Sequence, residues 1–543
     1  MPYREEPAPV DADVMIVGGG PVGMLLAGEL TLYGVRTTVL EREPHPSDES
    51  KAGTLHARTA QTLHRRGLLE AVQPGHAAGR APQPYVPFHF GGLPSLDLAP
   101  AVAEFPAMIG SPQAYAEDVF AHRAVRQGAS VVRGAEVTGV EEDEDHVRVT
   151  VRQDCGERVW RTRWVVGCDG ARSAVRRTAG IAFTGTLPTI SCLMGEVRLA
   201  DPGGAPRGWN RTEHGWTIFW VGPGGRSRVG TYDFRGPHPD RNSPVTFEEF
   251  RSEVERITGH PVEMDAPRHL SRFSDAALQA ERYRAGRVLL AGDSAHVHFP
   301  AGGQGLNTGL QDAVNLGWKL AAEVRGDAPP GLLDTYHSER HPVAARVLEN
   351  VRAQVALMRP GPVTDALRTL FADLMTVPEV NAYLAGMVSG EDIAYDVGRP
   401  ADRLAGRFVP EVALKTDRGA TGLAALLHAG RPVLLDLADR ADTRRAAAGW
   451  TGRVDVVTAR AEEQLTVDAV LLRPDGYAAW SLPAGAAADA DGLRRALRRW
   501  FGAPAAEPAT APTRPGRGER GEVGSAEADA AAADADDTGR PRL

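Results

Sequence analysis

Apolar residues fall along this chain in blocks whose spacing sorts them into strands and helices. Val14, Met15, Ile16 and Val17 form an unbroken apolar run of strand length. A helical stretch follows as far as Gly34, and residues 35–40 read as a second strand, closed by Glu41. A helix is predicted over 59–66. The Pro- and Gly-rich stretch 82–106, with Tyr85, Phe88 and Phe90, reads as irregular strands and loops. Pro112-Gln113 opens a helix that runs to about Gln127, where Gly128-Ala129 breaks it. Val147, Val149 and Val151 then alternate with polar residues, as in a half-buried strand. Residues 164–168 form another apolar strand, ending in Asp169-Gly170. From 183 to 273, short alternating runs are joined by turns such as Gly222-Pro223-Gly224-Gly225, which predicts an inserted antiparallel sheet. Residues 287–291 form a third apolar strand, ending in Gly292-Asp293. Leu310, Val314, Leu316 and Leu320 recur near helical spacing over 307–324, and a second helical stretch carries Tyr336, Glu339 and Arg340 toward Met375.

Loop-like composition at 398–407 marks a domain boundary. Beyond it, strands at 433–437, 454–457, 469–473 and 477–480, a Pro474-Asp475-Gly476 turn and a helix over 493–501 make a small α/β unit. Its strand order suits a thioredoxin-like fold, and it contains no cysteine for thiol–disulfide chemistry. After Ala503 the chain offers almost nothing to bury and is expected to be a disordered tail. The predicted organisation is α/β: a lead-in (1–12), a Rossmann-type nucleotide-binding domain with long helices (13–182 and 275–400), an antiparallel sheet domain (183–274), the thioredoxin-like domain (401–503) and the tail (504–543).

The first block carries the sharpest chemistry. Between its strand and helix stands Gly18-Gly19-Gly20-Pro21-Val22-Gly23, the G-x-G-x-x-G pattern of a dinucleotide-binding turn. Gly18 permits the tight turn, Gly20 has no side chain to hold a pyrophosphate off the backbone, and Gly23 lets the helix pack close to the sheet. The helix that follows points free N–H groups and its positive dipole end at the phosphates. Glu41 stands where a carboxylate bonds the ribose.

Composition narrows the partners. A net charge of -9 with no basic stripe argues against nucleic acid. No apolar run approaches the length of a membrane span, and the Pro- and Glu-rich N-terminus is no secretory signal. The three cysteines, Cys155, Cys168 and Cys192, match no metal or C-x-x-C spacing and suit a reducing, cytoplasmic setting.

The glycine turn with Glu41-Arg42, the run 167–176 around Asp169-Gly170, and the run from Ala291-Gly292-Asp293 through Pro300-Ala301-Gly302-Gly303-Gln304-Gly305-Leu306-Asn307 together resemble the flavin-dependent aromatic monooxygenases of the p-hydroxybenzoate hydroxylase fold. The segments 385–390 and 472–477 resemble the branch that tailors aromatic polyketides, the angucycline and anthracycline oxygenases. That resemblance implies FAD as the cofactor. Gly18, Gly20 and Gly23, with Pro21 and Val22 in the same turn, would hold its pyrophosphate. Glu41 would take the adenosine ribose and Arg42 would lie by the adenine. Gln113 would contact the flavin, and Asp293 the ribitol. Pro300, Gly303, Gly305, Leu306 and Asn307 would lie along the isoalloxazine, where a helix N-terminus favours the anionic reduced ring. Asp169 belongs to a turn the family uses for pyrophosphate. Lys51 stands where the family often has arginine, keeping the charge without the planar fork. The resemblance further implies NADPH as a transient reductant, for no second glycine fingerprint exists, and O2 as co-substrate through a flavin C4a-hydroperoxide.

No catalytic side chain and no metal site is singled out. The implied substrate is a polycyclic aromatic polyketide, and hydroxylation is the outcome expected. A Baeyer–Villiger insertion and a flavin protein that only holds or reduces a ligand remain alternatives, and both monomer and homodimer stay open. Trp209, Trp216, Phe219, Trp220, Tyr232 and Phe234 serve individually as sheet core and collectively as one wall of a pocket for a flat ligand. His337 and His341, spaced i, i+4, lack a third ligand and read as ordinary satisfied or exposed histidines, and Glu339-Arg340 as a structural ion pair.

Overall fold

Ala12–Val17 lies at the middle of a parallel arrangement, paired with Thr37–Glu41 on one side and Gly156–Gly167 on the other. Ser130–Arg133 extends the first side and Val288–Leu290 the second, so five strands run parallel. Val14, Met15 and Ile16 are wholly buried. This is why the run is uniformly apolar instead of alternating: a parallel sheet is covered on both faces. The short strand Arg284–Ala285 closes one edge antiparallel, and Glu136–Glu142 and Val147–Gln153 form a hairpin beside Gly156–Gly167. In the computed structural model, residues 10–49, 52–74, 86–104, 106–240, 243–398, 404–463 and 465–505 are described. Lys51, most of the predicted lead-in and residues 506–543 of the predicted tail lie outside them.

The helix Pro21–Leu32 packs against the helices Gln113–Arg126 and Gln304–Arg325. Its approach to the last is close enough that a Cβ on Gly317 would meet the Glu29 Cβ at 2.6 Å. The helix predicted over 59–66 runs Ala57–His64. The stretch read as irregular contains a hairpin, Pro87–Phe90 with Leu93–Asp97, turned by Gly91 and Gly92, both at positive φ.

Residues between 191 and 274 form a five-stranded antiparallel sheet in the order Gly208–Thr212, Gly215–Val221, Arg226–Asp233, Ser191–Leu199, Met264–Ser274. The period-two alternation sends Phe219 and Val229 to one face, against a helix, Phe247–Thr258, that the strand pattern did not predict. That helix begins at Thr246, whose hydroxyl accepts the Glu249 N–H, and stops at Gly259 with φ 80°. Trp216, Ile218 and Tyr232 face the other way, onto the helix Thr335–Met358.

The stretch expected to continue toward Met375 is two helices, Thr335–Met358 and Pro362–Leu374, and a third, Pro378–Ser389, follows it. Gly361, at φ 134°, makes the first break, and Pro362 and Pro378 start the next two at a position where a missing N–H costs nothing. The last unit is a six-stranded sheet in which only Val433–Asp436 and Asp455–Ala461 pair in parallel. Among the described residues no helix is long and apolar enough to cross a membrane.

Candidate active site

Two helix N-termini and a wall of rings define the site. Gly18 has φ 108°, and a Cβ there would strike the Cys168 carbonyl oxygen at 2.3 Å and the Asp169 nitrogen at 2.9 Å. A Cβ on Gly23 would strike the Gly18 oxygen at 2.1 Å, whereas above Gly20 there is nothing within 4 Å. Gly20 caps Pro21–Leu32 without a side-chain hydrogen bond, and no acidic residue sits in the first turn. The helix end is therefore an open donor surface. Glu41 takes the Gly19 N–H on one carboxylate oxygen at 2.5 Å and the Glu43 N–H on the other at 2.8 Å. Each oxygen keeps lone-pair capacity for a hydroxyl.

Asp169 accepts the N–H groups of Ala174 and Val175 on one oxygen, at 2.6 and 3.2 Å, and its other oxygen is buried without a partner. Burial raises its pKa against those hydrogen bonds. The turn carrying Gly292 and Asp293 lies on the same ledge, for a Cβ on Gly292 would meet Val22 at 3.1 Å and one on Gly309 would meet the Gly292 Cα at 3.1 Å. Gly18, Gly20, Pro21, Val22, Gly23, Glu41, Asp169 and Asp293 are thus gathered along one track. Arg42 is exposed and pairs with Glu43 at 3.1 Å.

The track ends at the start of Gln304–Arg325. Gly302 and Gly303, at φ 71° and 64°, turn the chain from Pro300 into this helix, which also lacks a side-chain cap and first-turn acids. A short strand, Thr54–His56, pairs with Met108–Gly110 and holds the helix start. The Asn307 amide oxygen accepts the His56 N–H at 2.8 Å, its nitrogen donates to Thr54 and Gly303 carbonyls, and His56 Nε2 meets the Gly302 carbonyl at 2.8 Å. The Gln113 N–H donates to the Ala52 carbonyl, bringing that helix alongside. Gly305 and Leu306 are half-buried between these elements.

Beside this helix start, rings form a continuous wall. His56 lies edge-on to Phe88, Phe88 stacks on His89, and His89 meets Trp209, which touches Trp216 and Tyr232. Tyr232 reaches Phe273 and Phe299. Of the six aromatics singled out in the sequence, Trp209, Trp216 and Tyr232 belong to the wall, and Phe234 packs against the same cluster. Phe219 is on the opposite face of its sheet, and Trp220 is half exposed. Phe88, His89, Phe273 and Phe299 were not foreseen. His56 and His89 are both pushed down to about 4 by burial, and each keeps a buried Nδ1 with no partner. Since His56 Nε2 must donate to a carbonyl, its Nδ1 is a lone-pair acceptor.

Behind the helix start, buried charges brace the frame. Asp312 binds His296 and Arg340, at 2.7 and 2.8 Å, and accepts the Gly292 N–H. Glu339 binds Lys319 at 2.7 Å and Arg473 at 2.6 Å, and Arg473 also pairs with Asp475. Glu339 and Arg340 are therefore structural ions, but each pairs with a distant residue and not with the other. The Glu339 carboxyl is held down at about 2 because the Arg473 and Lys319 charges overcome burial. Lys319 falls to about 8 because burial outweighs the Glu339 charge there, which leaves it cationic at neutral pH beside Arg473. His337 and His341 pack around Tyr283, and among the described residues no group of three potential ligands could hold a metal.

Residues 11–351 match the FAD binding domain family, and residues 402–504 match the family "Aromatic-ring hydroxylase, C-terminal". The 12-dehydrotetracycline 5-monooxygenase/anhydrotetracycline 6-monooxygenase of Streptomyces rimosus is 43% identical over 507 residues, covering 91% of this chain and 99% of that one. The dialkyldecalin synthase of Streptomyces rugosporus is 42% identical over 497 residues, covering 90% and 98%. The crystal structure of an aromatic hydroxylase from angucycline biosynthesis superposes with a TM-score of 0.84 at 42% identity, covering 91% of this chain and all of that one.

Proposed function

The chain belongs to the flavin-dependent monooxygenases that join an FAD binding domain to an aromatic-ring hydroxylase C-terminal domain, and we propose that it hydroxylates a multi-ring aromatic polyketide with NADPH as reductant and O2 as co-substrate. The observation that carries this is the uncapped start of Gln304–Arg325 opening beside the ring wall from Phe88 to Phe299. The residues fit FAD. The open space over Gly20, the two uncapped helix ends and the orphaned Asp169 oxygen supply what a pyrophosphate, a ribose and an anionic ring need.

Gly18, Gly20, Pro21, Val22 and Gly23 would hold the pyrophosphate, with Asp169 in the adjoining turn. Glu41 would hold the ribose, with Arg42 beside the adenine. Asp293 would bond the ribitol, Gln113 would contact the flavin, and Pro300, Gly303, Gly305, Leu306 and Asn307 would flank the isoalloxazine. When bound, the flavin supplies the redox and oxygen-transfer chemistry. The chain's own part is to orient and to dry. The helix end at Gly303 places N–H donors where negative charge gathers. Phe88, Trp209 and Phe273, half-buried and backed by the buried Tyr232 and Phe299, would present ring faces and edges to a flat substrate.

The domain division at 13–182 with 275–400, 183–274 and 401–503 belongs to the same proposal. The five-stranded parallel sheet supports a Rossmann-type first unit. A strand–helix–strand followed by a hairpin and a helix, with Val433–Asp436 between Asp455–Ala461 and Val467–Leu472, supports a thioredoxin-like last unit. A cytoplasmic, membrane-free enzyme fits this chemistry.

A reading in which flavin is bound but no oxygen is transferred is separated from this one by the experiment that tests it. Purified protein should be yellow. Supplied with NADPH and a panel of tetracyclic aromatic polyketides, it should consume O2 in step with NADPH and yield a product one oxygen heavier. Isomerisation of a substrate without O2 uptake would sink the oxygenase proposal. The product's structure separates a hydroxylated ring from a Baeyer–Villiger lactone.

A further inference from the structure

The helix Pro362–Leu374 has no buried residue. Its inner side is anchored: Arg368 donates to the Gly91 and Leu357 carbonyls at 2.7 and 2.8 Å, and Phe371 stacks on Phe90 with centroids 5.4 Å apart. Its outer side carries Val363, Leu367, Leu370 and Leu374, and the stripe continues to Val377. All five are between 42 and 85 % exposed. The spacings of four, three and four residues keep Val363, Leu367, Leu370 and Leu374 on one seam, the pattern by which a helix buries itself against a second helix, and Val377 lies just past the helix end in extended backbone. Tyr383, 60 % exposed on the next helix, extends the apolar area.

We propose that this seam is the contact between two copies of the chain, with the two Pro362–Leu374 helices packed antiparallel about a two-fold axis at Leu370. In that register Leu370 meets its counterpart and Leu367 of one copy faces Leu374 of the other. Each helix N-terminus then lies beside the other's C-terminus, which suits both macrodipoles. The seam positions are all apolar, so no like charges meet on it. The six side chains expose on the order of 600 Å² per copy, at the upper end of what a monomer leaves bare, so pairing would cover about 1,200 Å² in total, the lower bound of a specific interface.

Other occupants fit less well. Residues 506–543 contain only Val523 and Leu543 as large apolar side chains, too few to cover the seam. A lipid surface calls for Lys and Arg along the flanks of such a helix. Here Asp365, Asp373 and Glu379 border it in a chain of net charge -9.

Sedimentation velocity on the flavin-loaded full chain tests this. The wild type should run at twice its 57.9 kDa mass at micromolar concentration. Leu370→Glu sets two carboxylates face to face and should weaken pairing by at least ~100-fold. Leu374→Glu should do the same. Mixing the Leu370→Glu and Leu370→Arg chains should restore the dimer, a rescue that a merely misfolded variant could not give. Unchanged flavin absorbance and melting temperature show that the single variants are folded. A wild type that stays monomeric at every concentration, or a Leu370→Glu chain that still dimerises, overturns the proposal. A monomer that floats with phosphatidylcholine vesicles would assign the seam to lipid instead.

Discussion

Two alanine substitutions three residues apart should have opposite signatures. At Gly20, φ is -73° and ψ is -179°, open to any residue, and nothing lies within 4 Å of the added methyl. The lost N-cap preference costs about 0.5–1 kcal/mol, and the stiffer unfolded chain returns about 0.4–1 kcal/mol, so the apoprotein should be within roughly 0.5 kcal/mol of wild type. The methyl nevertheless stands where the pyrophosphate must approach. Displacing it should weaken FAD binding at least ~10–100-fold, about 1.4–2.7 kcal/mol. At Gly23 the methyl would lie 2.1 Å from the Gly18 oxygen, where even a tight contact needs 3.0 Å. The helix must shift by about 1 Å, at a cost of about 1–3 kcal/mol to the apoprotein itself. Flavin-free Gly20→Ala and Gly23→Ala chains would be compared by urea unfolding and by titration with FAD, following quenching of flavin fluorescence. Equal destabilisation of the two apoproteins, or undiminished FAD affinity in Gly20→Ala, would refute the assignment of the first helix end to the pyrophosphate.

Further outcomes follow from the buried charges and the ring wall. Glu339 has a folded pKa of about 2 against an unfolded value near 4.5, so its contribution, about 3 kcal/mol, is complete above pH 4.5 and disappears as pH falls toward 2. In urea unfolding, Glu339→Gln should trail wild type at pH 7, close more than half of the gap by pH 3 and converge only toward pH 2, and a gap independent of pH would contradict this. Arg473→Ala strands the same carboxylate and should cost about 3–5 kcal/mol, with a lower melting temperature. Because His56 titrates at about 4, kcat/KM should carry no His56-dependent break between pH 6 and 8. A break near 6.5 that His56→Asn removes would count against its neutral form. Trp209→Ala should raise KM for a multi-ring substrate about tenfold while Phe219→Ala lowers stability by about 3–5 kcal/mol and leaves KM alone.

Backbone sterics are local, and so the glycine turn could be located in the sequence. Gly18, Gly20 and Gly23 each answer a constraint set within a few residues of themselves or by the adjacent strand. The turn at Gly292-Asp293 was legible for the same reason. Helix ends were harder. Gly361 breaks a helical pattern that stays amphipathic on both sides of it, so periodicity alone ran straight through. The faces of the inserted sheet could have been separated by parity, since Trp216 and Ile218 share a side that Phe219 does not. The ion partners could not. Asp312 and Arg340 are 28 residues apart and Glu339 and Arg473 are 134 apart, and a buried charge has no periodic signature that names its counter-ion. His89 and Phe299 reach the ring wall from a loop-like hairpin and a proline-flanked turn, where patterning is silent.

The bond between Glu339 and Arg473 has a bearing on how the molecule is made. A ribosome that has released the first four hundred residues has produced the whole flavin cradle, yet the long helices behind it still hold an acid whose guanidinium has not been synthesised. Asp312 already holds His296 and Arg340 by then, and Glu339 has Lys319, but Glu339 gains its guanidinium only when the closing hundred residues arrive and their hairpin corner reaches those helices. A product terminated before Arg473 is left with that buried acid on Lys319 alone, and its long helices pack with one fewer counter-charge between them.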